Sequence, residues 1–238
     1  MGNLTLFLGG ASMAERHHFE ESEEMYLKSL YELGRTQDPV PVTALAERLG
    51  ITTVSASEMV RRLQARKLVQ HKPYKGARLT PEGEERAIAI VRRHRLWERF
   101  LTDRLGLGWS EAHHAACHLE HAIDERVTEA LDAYLDYPAY CPHGNPIPRE
   151  GALQPPKGEL PLSELERDEG GTVLRIRDEG AVLLEYLEAQ GIFPGKAFVI
   201  DEIAPYDGPR SVRMQGKTAV IGRDVAEHIL VLRGDVDG

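Results

Sequence analysis

The spacing of apolar positions divides the chain into a helical N-terminal part and a strand-forming C-terminal part. Met25, Leu27, Leu30, Tyr31 and Leu33 recur at helical spacing and stop at Gly34, which predicts an amphipathic helix starting near Glu20. Residues 1–19 carry glycines and polar residues without a sustained period and read as a disordered tail. Val42, Leu45, Ala46 and Leu49 predict a short helix closed by Gly50. After Ile51-Thr52-Thr53 a second helix runs to about Arg66, with Ala56, Val60 and Leu63 facing inward. A helix, a turn of small residues and a second helix form a helix-turn-helix pattern. Leu68–Lys72 and Ala77–Leu79 flank Pro73-Tyr74-Lys75-Gly76, a two-stranded wing with a basic tip. Thr80-Pro81-Glu82 supplies a hydroxyl cap, a proline at the first helical position and an early acid, so a long helix begins there and runs through Ile88, Val91, Leu96 and Phe100 to about Leu105. Gly106-Leu107-Gly108 interrupts it. Helix resumes at Trp109, and Leu119, Ile123, Val127 and Leu131 predict one apolar stripe reaching about residue 136, large enough to need a second copy of the chain as its partner.

From about Glu159 the period changes from helical to alternating. Thr172–Arg177, Lys196–Ile203, Ser211–Met214, Thr218–Ile221 and His228–Leu232 predict five short strands, with a helix over Ala181–Ala189 between the first two. That order predicts a small β-barrel of the SH3-like kind. The fold class is therefore mainly α with a C-terminal β-barrel. Its expected parts are a tail (1–19), a winged helix-turn-helix domain (20–81), a helical domain (82–148), a Pro- and Gly-rich semi-rigid linker (149–158) and an SH3-like domain (159–238).

Charge sharpens this picture. The net charge is −9, yet Thr36 to Arg95 holds 12 Lys and Arg against 6 Asp and Glu, so the basic charge is concentrated on the helix-turn-helix segment. The second helix carries Ser55, Ser57, Glu58, Arg61 and Arg62 outward, preceded by Thr52 and Thr53, with Lys72 and Lys75 on the wing. Hydroxyls near the start of such a helix reach base edges, and guanidinium groups suit phosphate or guanine. Double-stranded operator DNA is the expected partner. With 42% hydrophobic and 28% charged residues the chain reads as globular. The apolar run Leu4–Leu8 is too short for a signal or a membrane span, so a cytoplasmic location is expected. Two cysteines make no disulfide framework.

Candidate chemistry clusters between His94 and His121. Cys117, Glu120 and His121 stand at i, i+3 and i+4, and at about 100° per residue they share one helix face. His94 and Glu98 repeat the i, i+4 relation, and His113 lies one turn before Cys117, which makes a second cage. Each helix face offers too few ligands to satisfy an octahedral ion alone. His114 and His118 lie off the ligand face.

At this point several stretches carry a resemblance: Glu24-Met25-Tyr26-Leu27, Ala46-Glu47-Arg48-Leu49, Arg93-His94-Arg95-Leu96, Glu98-Arg99, Cys117-His118-Leu119-Glu120-His121 and Gly144-Asn145-Pro146-Ile147-Pro148. Together they resemble the diphtheria toxin repressor and manganese transport regulator family of metal-dependent transcriptional repressors, in its longer form with a C-terminal FeoA-like SH3 domain. The resemblance implies a homodimer that binds operator DNA when Fe²⁺ or Mn²⁺ is bound and controls metal homeostasis genes. It implies a primary site of Met25, Cys117, Glu120 and His121, and an ancillary site of His94, Glu98 and His113 with Glu179 from the C-terminal domain. A further ancillary ligand of the iron-type members falls near Val182, which cannot coordinate. Arg95 and Asn145 match the family's anion contacts, and Cys141 stands where a serine is usual.

The thioether of Met25 and the thiolate of Cys117 favour metals later in the divalent series, Fe²⁺ over Mn²⁺, with Co²⁺, Ni²⁺, Zn²⁺ or Cd²⁺ as substitutes in vitro. Two other classes stay in view. Cys117 among histidines suggests a nucleophile and base, but Glu120 and His121 share its helix face and no oxyanion element is visible, so the chain reads as a non-enzyme. A metal-independent winged-helix regulator with vestigial ligands is separated from the first reading by operator binding in excess chelator.

Overall fold

The computed structural model describes residues 13–149 and 158–234, with side chains from residue 20 onward. The chain divides into two compact units, one up to Val91 and one from Arg92 on. The division falls inside the long helix α4 (Pro81–Leu105).

In the N-terminal unit, α1 spans Met13–Gly34 and so starts earlier than the Glu20 expected, inside the stretch read as tail. Met13 to Glu20 contains no glycine or proline, and its residues tolerate helix well enough for the turn to propagate backward. The rest of the predicted tail lies outside the described residues. Helices α2 (Val42–Leu49) and α3 (Thr53–Ala65) make the helix-turn-helix. Gly50 ends α2 at φ 64°, in the left-handed conformation that costs glycine nothing, and its N–H caps Ala46 and Glu47 carbonyls. Thr52 caps α3, its hydroxyl accepting from the Ser55 N–H. Strands β1 (Val69–Lys72) and β2 (Gly76–Leu79) pair antiparallel with Val69 opposite Leu79, forming the wing, and Val40 adds a bridge to Ala77. Thr80 caps α4 by accepting from Gly83 N. Leu27, Leu30, Leu45, Ala56, Val60, Leu63, Leu68 and Ile90 form one buried core, so the inward positions predicted for α2 and α3 are those that pack.

In the C-terminal unit the second half of α4 is followed by α5 (Trp109–Leu119) and α6 (Glu125–Tyr134). The single stripe from Leu119 to Leu131 is corrected here. The chain breaks between these helices, and Asp124 caps α6 by accepting from Val127 N. Leu119 ends α5, Ile123 lies in the break, and Val127 and Leu131 belong to α6, so the four apolar positions do not share one helix. Asp132 of α6, almost fully buried, receives Arg92 from α4 at 2.8 Å and the guanidinium of Arg149, tying α6 to its surroundings.

The expected closed barrel is also corrected. The module is an antiparallel six-stranded sheet in the order β3-β8-β4-β5-β6-β7, and among the described residues its outer strands, β3 (Glu159–Pro161) and β7 (Lys217–Ile221), do not pair with each other. Between them lie β4 (Gly170–Ile176), β5 (Ala197–Ile203), β6 (Arg210–Met214) and β8 (Ile229–Arg233). Register shifts at Val173/Arg175 and Ile200/Glu202 bend the sheet around its core. The sixth strand, β3, escaped the alternation pattern because it has three residues, one of them proline. Helix α7 (Ala181–Gln190) covers the core through Leu184 and Leu187, and Trp109 of α5 is inserted into the same core. A short helix α8 (Arg223–Ala226) precedes β8.

Candidate metal centre and nucleic-acid face

Helix α4 carries His94 and Glu98 one turn apart, both essentially inaccessible. From α5, His113 faces them. His94 Nε2 lies 2.8 Å from Glu98 Oε1 and 3.2 Å from His113 Nδ1, and His113 Nδ1 lies 3.0 Å from the same Glu98 oxygen. The other ring nitrogens point elsewhere: His94 Nδ1 meets Glu120 Oε2 at 2.5 Å, and His113 Nε2 meets Cys117 Sγ at 3.7 Å. Each histidine thus joins Glu98 to a member of the Cys117–Glu120–His121 set.

On the far side of Glu98 stands a loop that sequence reasoning left out of the ligand set. Cys141 N–H donates to the Asn145 carbonyl and Gly144 N–H to the Cys141 carbonyl, so the 141–145 segment folds back on itself. Gly144 sits at φ 81° with its Cα against the Leu174 carbonyl oxygen, where a Cβ has no room. This turn drives His143 fully inside, edge-on to Trp109 at 4.8 Å between ring centroids. His143 Nδ1 is 3.5 Å from Glu98 Oε2 and 3.8 Å from Glu179 Oε1, and Cys141 Sγ is 3.8 Å from Glu179 Oε1. Asn145 holds Glu179 in place, donating to Oε1 at 2.6 Å and to the Ile176 carbonyl at 2.8 Å, while its own carbonyl accepts from Arg175. Arg95 donates to the Pro146 carbonyl at 2.7 Å.

Three groups have ligand atoms within 4.8 Å of one another: His94–His113–Cys117, His94–Glu98–His113–Glu179 and Glu98–Cys141–His143–Glu179. The second is the ancillary set expected from the sequence. The third, buried throughout, contains Cys141 and His143. The faint signal for it, a Cys-Pro-His-Gly run that sets a sulfur and an imidazole two residues apart in a turn, did not by itself point to these carboxylates. Glu120 and His121 belong to none of the three groups, although Glu120 Oε1 lies 3.4 Å from His121 Nε2. Met25 lies on α1 of the N-terminal unit and is 46% exposed. Val182 is 84% exposed, so that position plays no part in the cluster. His114 and His118 are exposed, stacked edge to face on the outer side of α5.

The donors fit a divalent cation. Both ring nitrogens of His143 and the Oε2 of Glu98 are buried without a hydrogen-bond partner, the contacts of 3.5 and 3.8 Å being too long for one. Imidazoles and carboxylates with one sulfur suit a hard-to-borderline ion such as Mn²⁺, Fe²⁺ or Zn²⁺. Protonation answers the same need. Burial disfavours charge on Glu98, but the positive charges of His94 and His143 outweigh it and hold its carboxyl well below the ordinary range. Burial likewise opposes charge on His143, and the Glu98 carboxylate overrides it and raises the imidazole well above its usual value. His113, depressed by burial but bonded to Cys117 and Glu98, is raised to about 9. Burial and the neighbouring Glu98 push Glu179 up, yet His143 and Arg95 bring it down to about 2. Burial and the carboxylates raise the Cys141 thiol.

In the N-terminal unit, Thr52, Thr53, Ser55, Glu58, Arg61 and Arg62 are exposed on and before α3, and Lys72 and Lys75 are exposed on the wing. Ser57 is half-buried, its hydroxyl donating to the Thr53 carbonyl at 2.7 Å. The sequence reading missed Val54, 71% exposed in the first turn of α3, an apolar group of the kind that meets a thymine methyl.

Three family models match in sequence: the iron dependent repressor N-terminal DNA-binding domain over residues 18–77, the iron dependent repressor metal-binding and dimerisation domain over 80–149, and the FeoA domain over 160–233. The diphtheria toxin repressor of Corynebacterium glutamicum is 39% identical over 155 residues, 60% of this chain and 68% of that protein. This chain belongs to the iron-dependent repressor family of metal-dependent transcriptional regulators. The repressor also matches the iron-dependent repressor IdeR of Mycobacterium tuberculosis, 39% identical over 129 residues, which is 54% of this chain and 56% of that protein. Among solved structures, a manganese-dependent transcriptional repressor in complex with manganese superposes with a TM-score of 0.80 at 35% identity, covering 89% of this chain and 99% of that one. ScaR with bound Zn²⁺ gives a TM-score of 0.74 at 32% identity, covering 88% and 98%. Among the described residues of this repressor, no helix is long and apolar enough to cross a membrane.

Proposed function

We propose that this repressor binds operator DNA as a homodimer when a divalent cation occupies the buried cluster, and that Fe²⁺ or Mn²⁺ is that cation. The observation that carries the reading is His143: an imidazole fully buried with both nitrogens unbonded, facing two buried carboxylates in a metal-dependent family. We assign the ancillary site to His94, Glu98, His113 and Glu179, extended by Cys141 and His143. Glu98 has one oxygen toward each half, Oε1 to His94 and His113 and Oε2 to His143, so it suits a bridging role. The primary site is assigned to Met25, Cys117, Glu120 and His121, which requires Glu120 to release His94. Arg95 and Asn145 are the proposed anion contacts.

In this scheme the ion supplies positive charge where the apo chain uses protons, and the residues do the rest. Thr52, Thr53, Ser55, Ser57, Glu58, Arg61 and Arg62 read the major groove with Val54, and Lys72 and Lys75 hold phosphates from the wing. A dimer must present its two recognition helices about 34 Å apart to meet successive major grooves, which is why metal-dependent ordering can switch affinity. The thioether of Met25 and the thiolate of Cys117 favour Fe²⁺ over Mn²⁺. The role is non-catalytic, the C-terminal sheet serving as an SH3-like module that contributes Glu179, and the chain acts in the cytoplasm.

Anaerobic titration of Fe²⁺ and of Mn²⁺ into the full chain, followed by fluorescence anisotropy of candidate operator DNA, tests the reading. Binding that appears with metal and disappears with chelator is expected. Binding that persists in excess chelator would assign the chain to metal-independent regulation instead.

A further inference from the structure

Helix α7 is flanked by two carboxylates that leave their own module. Glu179, just before it, enters the buried cluster. Glu188, in its last turns, turns to α5: Glu188 Oε2 accepts from the backbone N–H of Trp109 at 3.0 Å. That N–H is among the first donors of α5, which no preceding residue of the helix can satisfy. The local N-cap is Gly108, which has no side chain to cap any donor of the first turn. A Cβ at position 108 would come within 3.0 Å of the same Glu188 oxygen, so the glycine leaves room for a cap supplied from elsewhere in the fold. A carboxylate there also opposes the positive end of the helix dipole. Trp109 is anchored beside this contact, 3% exposed, edge-on to Phe193 at 4.9 Å and to His143 at 4.8 Å.

The consequence lies one turn further along. α5 delivers His113 and Cys117, and helix geometry fixes both from the position of the helix start. An ordinary Ser or Asp cap would make that start independent of the C-terminal module. Here the same module that inserts Glu179 into the cluster also begins the helix that faces it. We infer that Glu188 is a positioning residue: it caps α5 from the C-terminal module and so sets the placement of His113 and Cys117, making metal affinity depend on a side chain that touches no ion. The inference rests on the reading that the buried cluster binds a divalent cation.

The test uses the full chain, metal-free and titrated anaerobically with Co²⁺, whose thiolate charge-transfer band reports ligation by Cys117 or Cys141. In the metal-free Glu188→Ala chain, amide hydrogen exchange from Trp109 to His113 should quicken, and Co²⁺ affinity should fall about fivefold, the factor given by a helix cap worth about 1 kcal/mol. Glu188→Gln, which keeps an acceptor oxygen, should recover most of both effects, and Glu185→Ala, exposed on the same helix, should change neither. Glu188→Asp, with a shorter reach, takes the place of the alanine variant should that chain lose its fold. Unchanged exchange and unchanged Co²⁺ affinity in a folded Glu188 variant, against a wild type that binds, would overturn the inference alone. A wild type that takes up no Co²⁺ would overturn the metal reading beneath it, even where α5 exchange still responds to Glu188.

Discussion

The N-terminal and C-terminal units treat buried polarity in contrasting ways. In the first, the polar side chains buried among the described residues are Glu23, Lys28 and Ser29, and Glu23 is paired with Arg66 through Oε2, leaving Oε1 without a hydrogen bond. Its candidate DNA contacts are on the surface. The second buries His94, Glu98, Glu120, Asp132, His143 and Glu179, together with Arg95, Arg175 and Arg210. Asp132 is matched by Arg92 and Arg149, whereas His143 and one oxygen of Glu98 are left without hydrogen bonds. Burying ionisable groups unpaired costs several kcal/mol, so a fold keeps them only where something else satisfies them. The N-terminal unit is built as an ordinary apolar core, and the C-terminal unit carries the electrostatic cost that the proposed cation would relieve.

Substitutions can separate the two halves. Leu63→Ala empties part of the helix-turn-helix core and should cost about 3 kcal/mol in urea unfolding, weakening operator binding at any metal concentration. Calorimetric Mn²⁺ stoichiometry should stay the same, and a loss of metal uptake would break the contrast. Glu98→Gln removes the carboxylate shared by both halves of the cluster. Mn²⁺ affinity should fall about a hundredfold, while unfolding of the N-terminal unit, followed by exchange of α2 and α3 amides, is unaffected.

The pH response comes next. His113, raised from 6.5 to about 9 and joined by the raised His143, stabilises the metal-free chain fully below about pH 6.5 and loses that contribution as pH climbs toward 9. Glu179, lowered from 4.5 to about 2, contributes above pH 4.5 and loses its share as pH falls toward 2. Metal must displace the histidine protons, so affinity should rise up to about tenfold per pH unit for each proton released, between pH 6.5 and 9. Metal-free thermal stability and Mn²⁺ affinity should therefore move in opposite directions across that window, and parallel movement would show that His113 is not a proton-carrying ligand. The smallest effect belongs to the surface. Arg61→Ala should reduce the slope of log affinity against log salt by about 1 without altering the metal dependence.

Periodicity carried the N-terminal unit almost entirely, because its core positions Ala56, Val60 and Leu63 recur on one helix face and its turns are marked by Gly50 and Pro73. The same criterion failed at Leu119 to Leu131. Spacings of four residues look like one helix whether or not Asp124 starts a new one, and only the capping side chain distinguishes the cases. Glu179 came only with the family resemblance, whereas His94 and Glu98 at i, i+4 and His113 one turn before Cys117 were legible from helical spacing. Cys141 and His143 were not, since a loop has no period and their approach to Glu98 and Glu179 is set by the Gly144 turn and by Asn145, contacts distant in sequence. Glu188 is likewise silent in the sequence: an acid near the end of one helix that caps the start of another, 79 residues away.

Anomalous diffraction at the manganese edge from Mn²⁺-loaded crystals tests the central claim most directly. The account predicts a peak within ligand distance of Glu98 and His143. A fully loaded crystal with no peak at that cluster, and with His143 still unligated, would contradict it.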